Sequence, residues 1–465
     1  MKFELKNLGP INEASIELAD LTIICGQNNS GKTYLTYSLY SFLKIFKKHL
    51  FLPIDDLLFE NLMKQGKLTI DLEAQIESYI SEIENLLPDF CKTLPRFLAM
   101  NAERFRDTVF NVDLNIADVR ASLIQGSDIS AIVHSGQIQI TENCMITLHR
   151  KSDSFQAEVE LLNSSAEMPH RNIIRKALGL LLAQSFNVQP DKDENLNKDY
   201  FNSLFPSPFI ITCERTGAAL FRTELLMSRE LSLKSDTGLS EIKELSTKYE
   251  YQGYQFPVSQ DLQFVIQLKD AEKQQSFIAK NHPDILDFFN SIIGGAYTLK
   301  DNQVKFSPKG SQETLTLPES SSTVRSLMEL NYYLKHLAQR GQILMLDEPE
   351  LNLHPANQRK IARLLAMLVN AGIKVFINTH SDYIIREFNI LIMLNAAKAK
   401  LASLIEEYGY APNELLSAAQ VKCYVAEQGT FNVMDVNDEY GIEVTSFDDS
   451  ISEINLLQNR ILFGD

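Results

Sequence analysis

Cysteine is scarce in this chain and forms no pattern. Cys25, Cys91, Cys144, Cys213 and Cys423 are odd in number, far apart in sequence and never arranged Cys-x-x-Cys. That excludes a disulfide framework and a zinc signature, and it suits reduced thiols in a cytosol, so the expectation is a cytoplasmic protein. No stretch approaches the ~20 apolar residues needed to cross a bilayer, and no membrane partner is expected. The opening Met1-Lys2-Phe3-Glu4-Leu5-Lys6 alternates charged and apolar groups and lacks the apolar region of a secretion signal. Positive charge is in deficit: 44 Lys and Arg stand against 60 Asp and Glu, a net charge of −16. Proteins that coat duplex DNA usually carry a basic excess. The balance therefore weighs against DNA as the main partner and leaves only a local groove, for instance Lys44, Lys47, Lys48 and His49, which also reads as a solvated helix face. There is no internal repeat, no low-complexity tract and no heptad sustained enough for a long coiled coil.

What is present is a folded chain too long for one ordinary core: 465 residues, 45% hydrophobic and 22% charged. Residues 2–5 and 13–18 alternate like strands, and Leu21-Thr22-Ile23-Ile24-Cys25 is a short apolar run ending in a glycine turn. A helix should follow from Lys32 to about Leu50, with Leu35, Leu39, Phe42, Leu43 and Phe46 on one face. From 51 to 205 the pattern changes. Helical stretches are expected at 55–64, 72–87 and 91–107, alternating segments at 109–115, 130–140, 144–150 and 155–161, then a helix at 170–187 and a polar linker at 189–195. The reading is an α/β protein in three parts: core residues 1–50, a mostly helical α+β insertion at 51–205, and the rest of the core at 206–465. That last part should start with the strand Phe209-Ile210-Ile211-Thr212-Cys213. A surface excursion near 233–254 and helices near 260–280 and 283–293 follow. Strands at 421–427 and 430–436 and a last helix from about 450 close it.

Three motifs carry chemistry. Gly26-Gln27-Asn28-Asn29-Ser30-Gly31-Lys32-Thr33 fits the P-loop pattern, in the required context of strand, glycine loop and helix. Its glycines let backbone amides wrap around phosphates, and the helix N-terminus adds the positive end of its dipole. Gly26, Asn28, Asn29, Ser30, Gly31, Lys32 and Thr33 are thus candidate ATP contacts, with Lys32 on the β and γ phosphates and Thr33 on Mg²⁺. Gln342-Ile343-Leu344-Met345-Leu346-Asp347-Glu348-Pro349 is an apolar strand ending in two acids. By itself it also describes a buried strand meeting a solvated turn. Beside a P-loop, Asp347 becomes the Mg²⁺ carboxylate and Glu348 the group that accepts a proton from attacking water. Lys374-Val375-Phe376-Ile377-Asn378-Thr379-His380-Ser381 is a third strand, and His380 lies just past its carboxyl end, where ligands bind in open α/β folds. The catalytic candidates are Lys32, Glu348 and His380.

In this order the motifs resemble the ABC-type ATPases. The wording Asp347-Glu348-Pro349-Glu350-Leu351-Asn352-Leu353-His354-Pro355, with Thr212-Cys213-Glu214-Arg215-Thr216-Gly217 and Asn7-Leu8-Gly9-Pro10-Ile11, is similar to the soluble OLD-like and AAA15 branch of prokaryotic phage defence. The resemblance covers roughly 1–50 and 207–465 and implies an ABC-type P-loop head. It implies ATP sandwiched between two subunits of a homo-oligomer, with a serine-rich signature of one subunit on the γ-phosphate of the other. The matching place is Ser320-Ser321-Ser322-Thr323-Val324-Arg325-Ser326, before a helix at 324–339, with one of Ser321 and Ser322 in the role. The usual glycine is absent, and an N-cap explains the same serines. No Q-loop glutamine can be placed. Arg215 reads as a phosphate or inter-subunit contact, or equally as the partner of a nearby acid; His354 reads as structural or interfacial. The 85 residues after His380 are too few for a TOPRIM nuclease plus closing strands. The resemblance therefore implies the ATPase subunit of a two-gene defence system of the PARIS or Septu type, with a separate nuclease effector (TOPRIM or HNH) and a phage-encoded trigger protein. The alternatives are a RecF- or Rad50-like DNA-repair ATPase, opposed by the acidity and the missing coiled coil, and a transporter subunit, opposed by the large insertion and atypical signature.

Overall fold

The computed structural model describes residues 1–46, 49–123, 133–151, 154–165, 168–186, 205–222, 224–225, 254–300 and 302–443. Lys47, Lys48, the 189–195 linker, nearly all of the 233–254 excursion and the expected last helix lie outside the described residues. Among the described residues no helix is long and apolar enough to cross a membrane.

The protein is α/β, built on a mixed nine-stranded sheet. Its strands are β1 (Lys2–Leu8), β2 (Ile11–Glu17), β3 (Leu21–Gly26), β4 (Val109–Asp113), β5 (Pro208–Ile211), β6 (Ile343–Asp347), β7 (Lys374–Thr379), β8 (Val421–Glu427) and β9 (Thr430–Met434). They lie side by side in the order β4-β1-β2-β9-β8-β3-β7-β6-β5. The half from β8 to β5 is parallel, and β3, β6 and β7 are buried along nearly their whole length, as strands covered on both faces must be. Cys25 pairs with Thr379, Asn378 with Asp347 and Leu346 with Ile211, so all four carboxyl ends reach one edge. The three motifs, scattered between Gly26 and Ser381, meet there.

Helix α1 (Lys32–Ile45) leaves the P-loop. The sequence suggests one apolar face; the structure buries Tyr37, Ser38, Tyr40 and Ser41 as well. The reason is tertiary, because α1 is packed between the sheet and helices of the 51–205 stretch and of 254–271. In that stretch come α2 (Asp56–Gln65), α3 (Ile76–Phe97) and α4 (Arg171–Ser185). They accompany a four-stranded antiparallel sheet in the order Lys67–Asp71, Gln156–Asn163, Cys144–Lys151, Val133–Thr141. The two helices expected at 72–87 and 91–107 are one: α3 runs through Pro88 and Pro95. A proline costs the helix a hydrogen bond, but Ile76, Tyr79, Ile83, Leu87 and Leu94 keep helical phase across Pro88 and are all buried. Only a short 3-10 turn, Ala102–Phe105, forms where the second half was expected to continue.

The 51–205 stretch also gives β4 to the edge of the main sheet, where Phe110 and Val112 pair with Leu5 and Phe3 of β1. Phe42 of α1 seals the junction. Its ring stacks on Phe46 at 4.7 Å and meets Phe3 at 5.8 Å, Phe90 of α3 at 5.3 Å, Phe110 of β4 at 5.2 Å and Phe205 at 5.9 Å. Further helices include α5 (Phe256–Ile266), α6 (Ser322–Tyr332), α7 (Pro355–Asn370) and α8 (Asp382–Ala396). Phe42→Ala should remove about 3–5 kcal/mol of unfolding free energy in denaturant titrations. An unchanged midpoint would mean that the ring does not join the two parts.

Candidate active site

The P-loop geometry follows from its glycines. Gly26 has φ +133, and a Cβ there would lie 2.4 Å from the Ala426 carbonyl oxygen of β8. Gly31 has φ +97, and its Cβ would lie 2.8 Å from Ile11. Both positions need glycine on backbone and on space. Asn29, at φ +62, takes the left-handed conformation that asparagine tolerates. The loop Gln27–Asn29 is exposed, Ser30 and Thr33 are half-buried, and α1 begins at Lys32 with its first amides lacking helical acceptors. The Lys32 ammonium is buried and folded back on its own loop, donating to the carbonyls of Gly26 at 3.0 Å and Gln27 at 2.7 Å. Burial lowers its pKa, and the nearby charges of Asp347 and Glu348 oppose the fall.

Asp347 ends β6 with 2% exposure. Its Oδ1 accepts from Asn378 Nδ2 at 3.0 Å, and Asn378 Oδ1 in turn accepts from Thr36 Oγ1 of α1 at 2.8 Å. Its Oδ2 is buried without a hydrogen-bond partner. Burial pushes the Asp347 pKa to about 6. A carboxylate oxygen left unanswered near a retracted lysine fits Mg²⁺ carried with a polyphosphate, the oxygen-ligand chemistry of that ion. Thr33 and Asp347 are the residues that would hold it, and Lys32 with the loop amides would take the phosphates.

Glu348 follows at φ +50, with its amide bonded to the Asn378 carbonyl at 3.0 Å. Its half-exposed carboxylate stands 4.0 Å from His380 Nε2. Burial first, then the Lys32 charge, lower the His380 pKa, so the imidazole is neutral near pH 7 and can give a hydrogen bond without adding charge. Lys32, Asp347, Glu348 and His380 are thus brought together as the sequence suggests.

Ser321 and Ser322 are not among the hydrogen-bond partners of that group. Ser321 caps α6, its hydroxyl accepting from the Val324 amide at 3.3 Å, and Ser322 is the first residue of the helix. The helix holds the segment after the acids through Thr323 Oγ1 to Asn352 O at 2.7 Å and Ser326 Oγ to Leu351 O at 3.0 Å. His354 caps α7, accepting from Ala356 N.

Four residues at this edge make contacts that short sequence patterns do not announce. Asn378 had no signal beyond its place in a strand. Glu350, half-buried, accepts from the His380 amide at 2.6 Å and from Thr379 Oγ1 at 2.9 Å, pinning the histidine strand to the turn. Glu214 lies in the turn after β5, exposed and 3.4 Å from the Tyr37 hydroxyl. Arg215, expected on a phosphate, a second subunit or a nearby acid, donates to backbone carbonyls of Thr212, Asp347 and Glu348 and to Ser326 Oγ, with the charge of Asp261 close by. It is buried, and burial puts those carbonyls within reach of its fork.

The sequence matches the AAA ATPase domain model AAA_15 over residues 1–385. The chain belongs to this family. It is an ATPase of the AAA_15 type, and the ATP hydrolysis that the family name states is the chemistry for which this edge of the sheet is suited. No curated protein matches the chain. Similar solved structures include an Smc head bound to the C-terminal winged-helix domain of ScpA, with 11% identity, 94% of this chain and 97% of that chain covered, and TM-score 0.33. The Pyrococcus furiosus Smc head with an extended coiled coil, bound to the C-terminal domain of ScpA, gives 11%, 98% and 98%, and 0.30. The SMC head domain of Thermotoga maritima gives 11%, 94% and 98%, and 0.29. The family match, not these likenesses, carries the assignment.

For this AAA_15 ATPase the raised Asp347 pKa has a sign that can be measured. The unfolded chain ionises near 3.8 and the native carboxyl near 6, so native stability is penalised above pH 3.8 and fully so above about 6. Without nucleotide or Mg²⁺, Asp347→Asn should therefore raise the unfolding free energy at pH 8 by up to about 3 kcal/mol, with the gain gone below pH 4. A variant no more stable than the parent at pH 8 would show that this carboxylate is at ease in its site.

Proposed function

We propose that this AAA_15 ATPase binds Mg-ATP in the cradle formed by Gly26–Thr33 and hydrolyses it with Glu348 as the base that takes a proton from the attacking water. The observation that carries the reading is the meeting of Lys32, Asp347, Glu348 and His380, from three strand ends, around a buried carboxylate oxygen with no partner. Lys32 leaves its own loop carbonyls for the β and γ phosphates, and the amides of Asn28, Asn29, Ser30 and Gly31 line the phosphate chain. Thr33 and Asp347 hold Mg²⁺, which neutralises phosphate charge when bound. Neutral His380 donates a hydrogen bond toward the γ-phosphate and faces Glu348 across the place where water attacks.

The site is completed, in this reading, by α6 of a second copy, giving a homo-oligomer with ATP at its interfaces. Capping occupies the Ser321 hydroxyl within its own chain, which makes Ser322 the better contact. The cellular role that the motif wording at Asp347–Pro355 and Thr212–Gly217 supports is that of sensor and scaffold in a two-gene anti-phage system. The resemblance is to AriA of PARIS first and PtuA of Septu next: a subunit that holds a separate nuclease and releases or activates it when a phage protein is sensed.

Lys32→Ala should abolish Mg-ATP binding in a fluorescent-nucleotide titration, and undiminished affinity would overturn the phosphate-loop assignment. Glu348→Gln should bind ATP normally and turn over about 100-fold or more slowly; normal turnover moves the base elsewhere. Mixed Lys32→Ala and Ser322→Arg chains, each inactive alone, should regain partial activity, because one interface then holds both intact halves. Persistent inactivity in assembled mixtures would count against the sandwich. Purification with the neighbouring gene product decides the role: a stoichiometric nuclease supports the defence reading, and a lone dimer that grips DNA only with ATP favours repair.

A further inference from the structure

The end of β6 is held from behind by a single side chain. Arg215 opens the short helix Arg215–Leu220 after β5 and is 3% exposed. Its Nη1 donates to the Asp347 carbonyl at 2.6 Å and to the Thr212 carbonyl at 3.0 Å, and its Nη2 to the Glu348 carbonyl. Its Nε donates to Ser326 Oγ of α6 at 3.0 Å, and that hydroxyl in turn donates a hydrogen bond to the Leu351 carbonyl at 3.0 Å. One guanidinium therefore joins the end of β5, the end of β6, the turn after the acids and α6.

We propose that Arg215 is a positioning residue for hydrolysis, which sets the turn that aims Glu348 and ties that turn to α6. The backbone supplies the reason. Glu348 has φ +50, a conformation that residues other than glycine adopt only where their surroundings impose it. Arg215 grips the carbonyls on both sides of that residue, while the Glu348 amide is held by Asn378. The acidic side chain is then turned toward His380 and the phosphate loop. A planar fork with donors in fixed directions can serve four acceptors at once, and a lysine ammonium cannot.

The charge of this buried cation is answered locally. Asp261 of α5 and Glu329 of α6, both buried, stand beside it, and Thr212 donates its amide and hydroxyl to Asp261 Oδ2 at 2.9 and 2.6 Å. Burial pushes the pKa of Glu329 well up and that of Asp261 up as well, while the charge of Arg215 opposes both shifts. Thr212 is bonded to both Arg215 and Asp261, which places the balancing acid at the same joint as the fork. A displacement of α6 pulls on Ser326, and through Arg215 on the carbonyls that flank the base. Engagement of the α6 N-terminus by an adjoining subunit and alignment of Glu348 become a single event.

The inference rests on Glu348 acting as the base, so Glu348→Gln is measured in parallel. Arg215→Lys and Ser326→Ala are compared with the parent full-length chain, using a fluorescent ATP analogue with Mg²⁺ for affinity and steady-state phosphate release for kcat. Arg215→Lys should keep affinity within about threefold and lose about 100-fold in kcat, the scale of a misplaced reacting group, with no rescue by the retained charge. Ser326→Ala, which spares the arginine and cuts its link to α6, should lose about tenfold in kcat alone. Parental kcat in Arg215→Lys, or equal losses of affinity and kcat, overturns the proposal. If Arg215→Lys does not fold, Ser326→Ala decides: parental kcat in that variant overturns the tie to α6. Normal turnover in Glu348→Gln would instead remove the base assignment itself.

Discussion

A carboxylate buried at the end of an apolar strand sets the terms for the rest of this structure. Strand β6 carries Ile343, Leu344, Met345 and Leu346, all buried, straight into Asp347. One oxygen of that side chain is bonded to Asn378 and the other is not bonded at all. A buried acceptor left unanswered costs roughly 1–3 kcal/mol, and a fold keeps one only where the surroundings hold it in place. Here they do so from two sides: the chain Thr36–Asn378–Asp347 from α1, and Arg215 on the carbonyls behind. Stability is given up at the place where a cation and a polyphosphate would restore it, which is the pattern expected of ligand sites.

The same logic explains why α1 is buried all round. A helix whose N-terminus must present amides, lysine and threonine in fixed positions cannot be left to the sheet alone. Residues of the 51–205 stretch and of 254–271 pack on its outer side. The aromatic cluster about Phe42 makes β1, α1, α3 and β4 share one core. The stretch that looks like an inserted body is therefore stitched into the ATPase sheet by a strand and by packed rings. A disturbance of α3 meets the P-loop helix through side-chain contact alone.

Legibility in the sequence followed the range of the interactions. The P-loop, the two acids after an apolar run and the histidine past a third strand are local patterns, and each fell where it was expected. The serines before α6 were legible as a helix start, and the structure shows Ser321 capping it. Asn378, Glu350 and the latch of Arg215 were not legible, because all their partners but Thr212 lie 29 to 342 residues away in sequence and nothing near them announces the contact. The single helix α3 was hidden for the same reason, since it runs through Pro88. The local cost of that proline argues for a break, and the burial of Tyr79, Ile83, Leu87 and Leu94 on one face outweighs it.

The sequence by itself determined the chemistry that short segments can encode: which residues wrap phosphates, which strand ends in acids, where a helix begins. Those are matters of backbone freedom, side-chain type and spacing over fewer than ten positions. Only the tertiary structure decided what holds them. It brought four parallel strand ends to one edge, left one oxygen of Asp347 without a partner, turned Glu348 into a left-handed turn and placed one buried arginine behind it. Such choices depend on which distant elements pack together, because a buried polar group must find its partners in space and not along the chain.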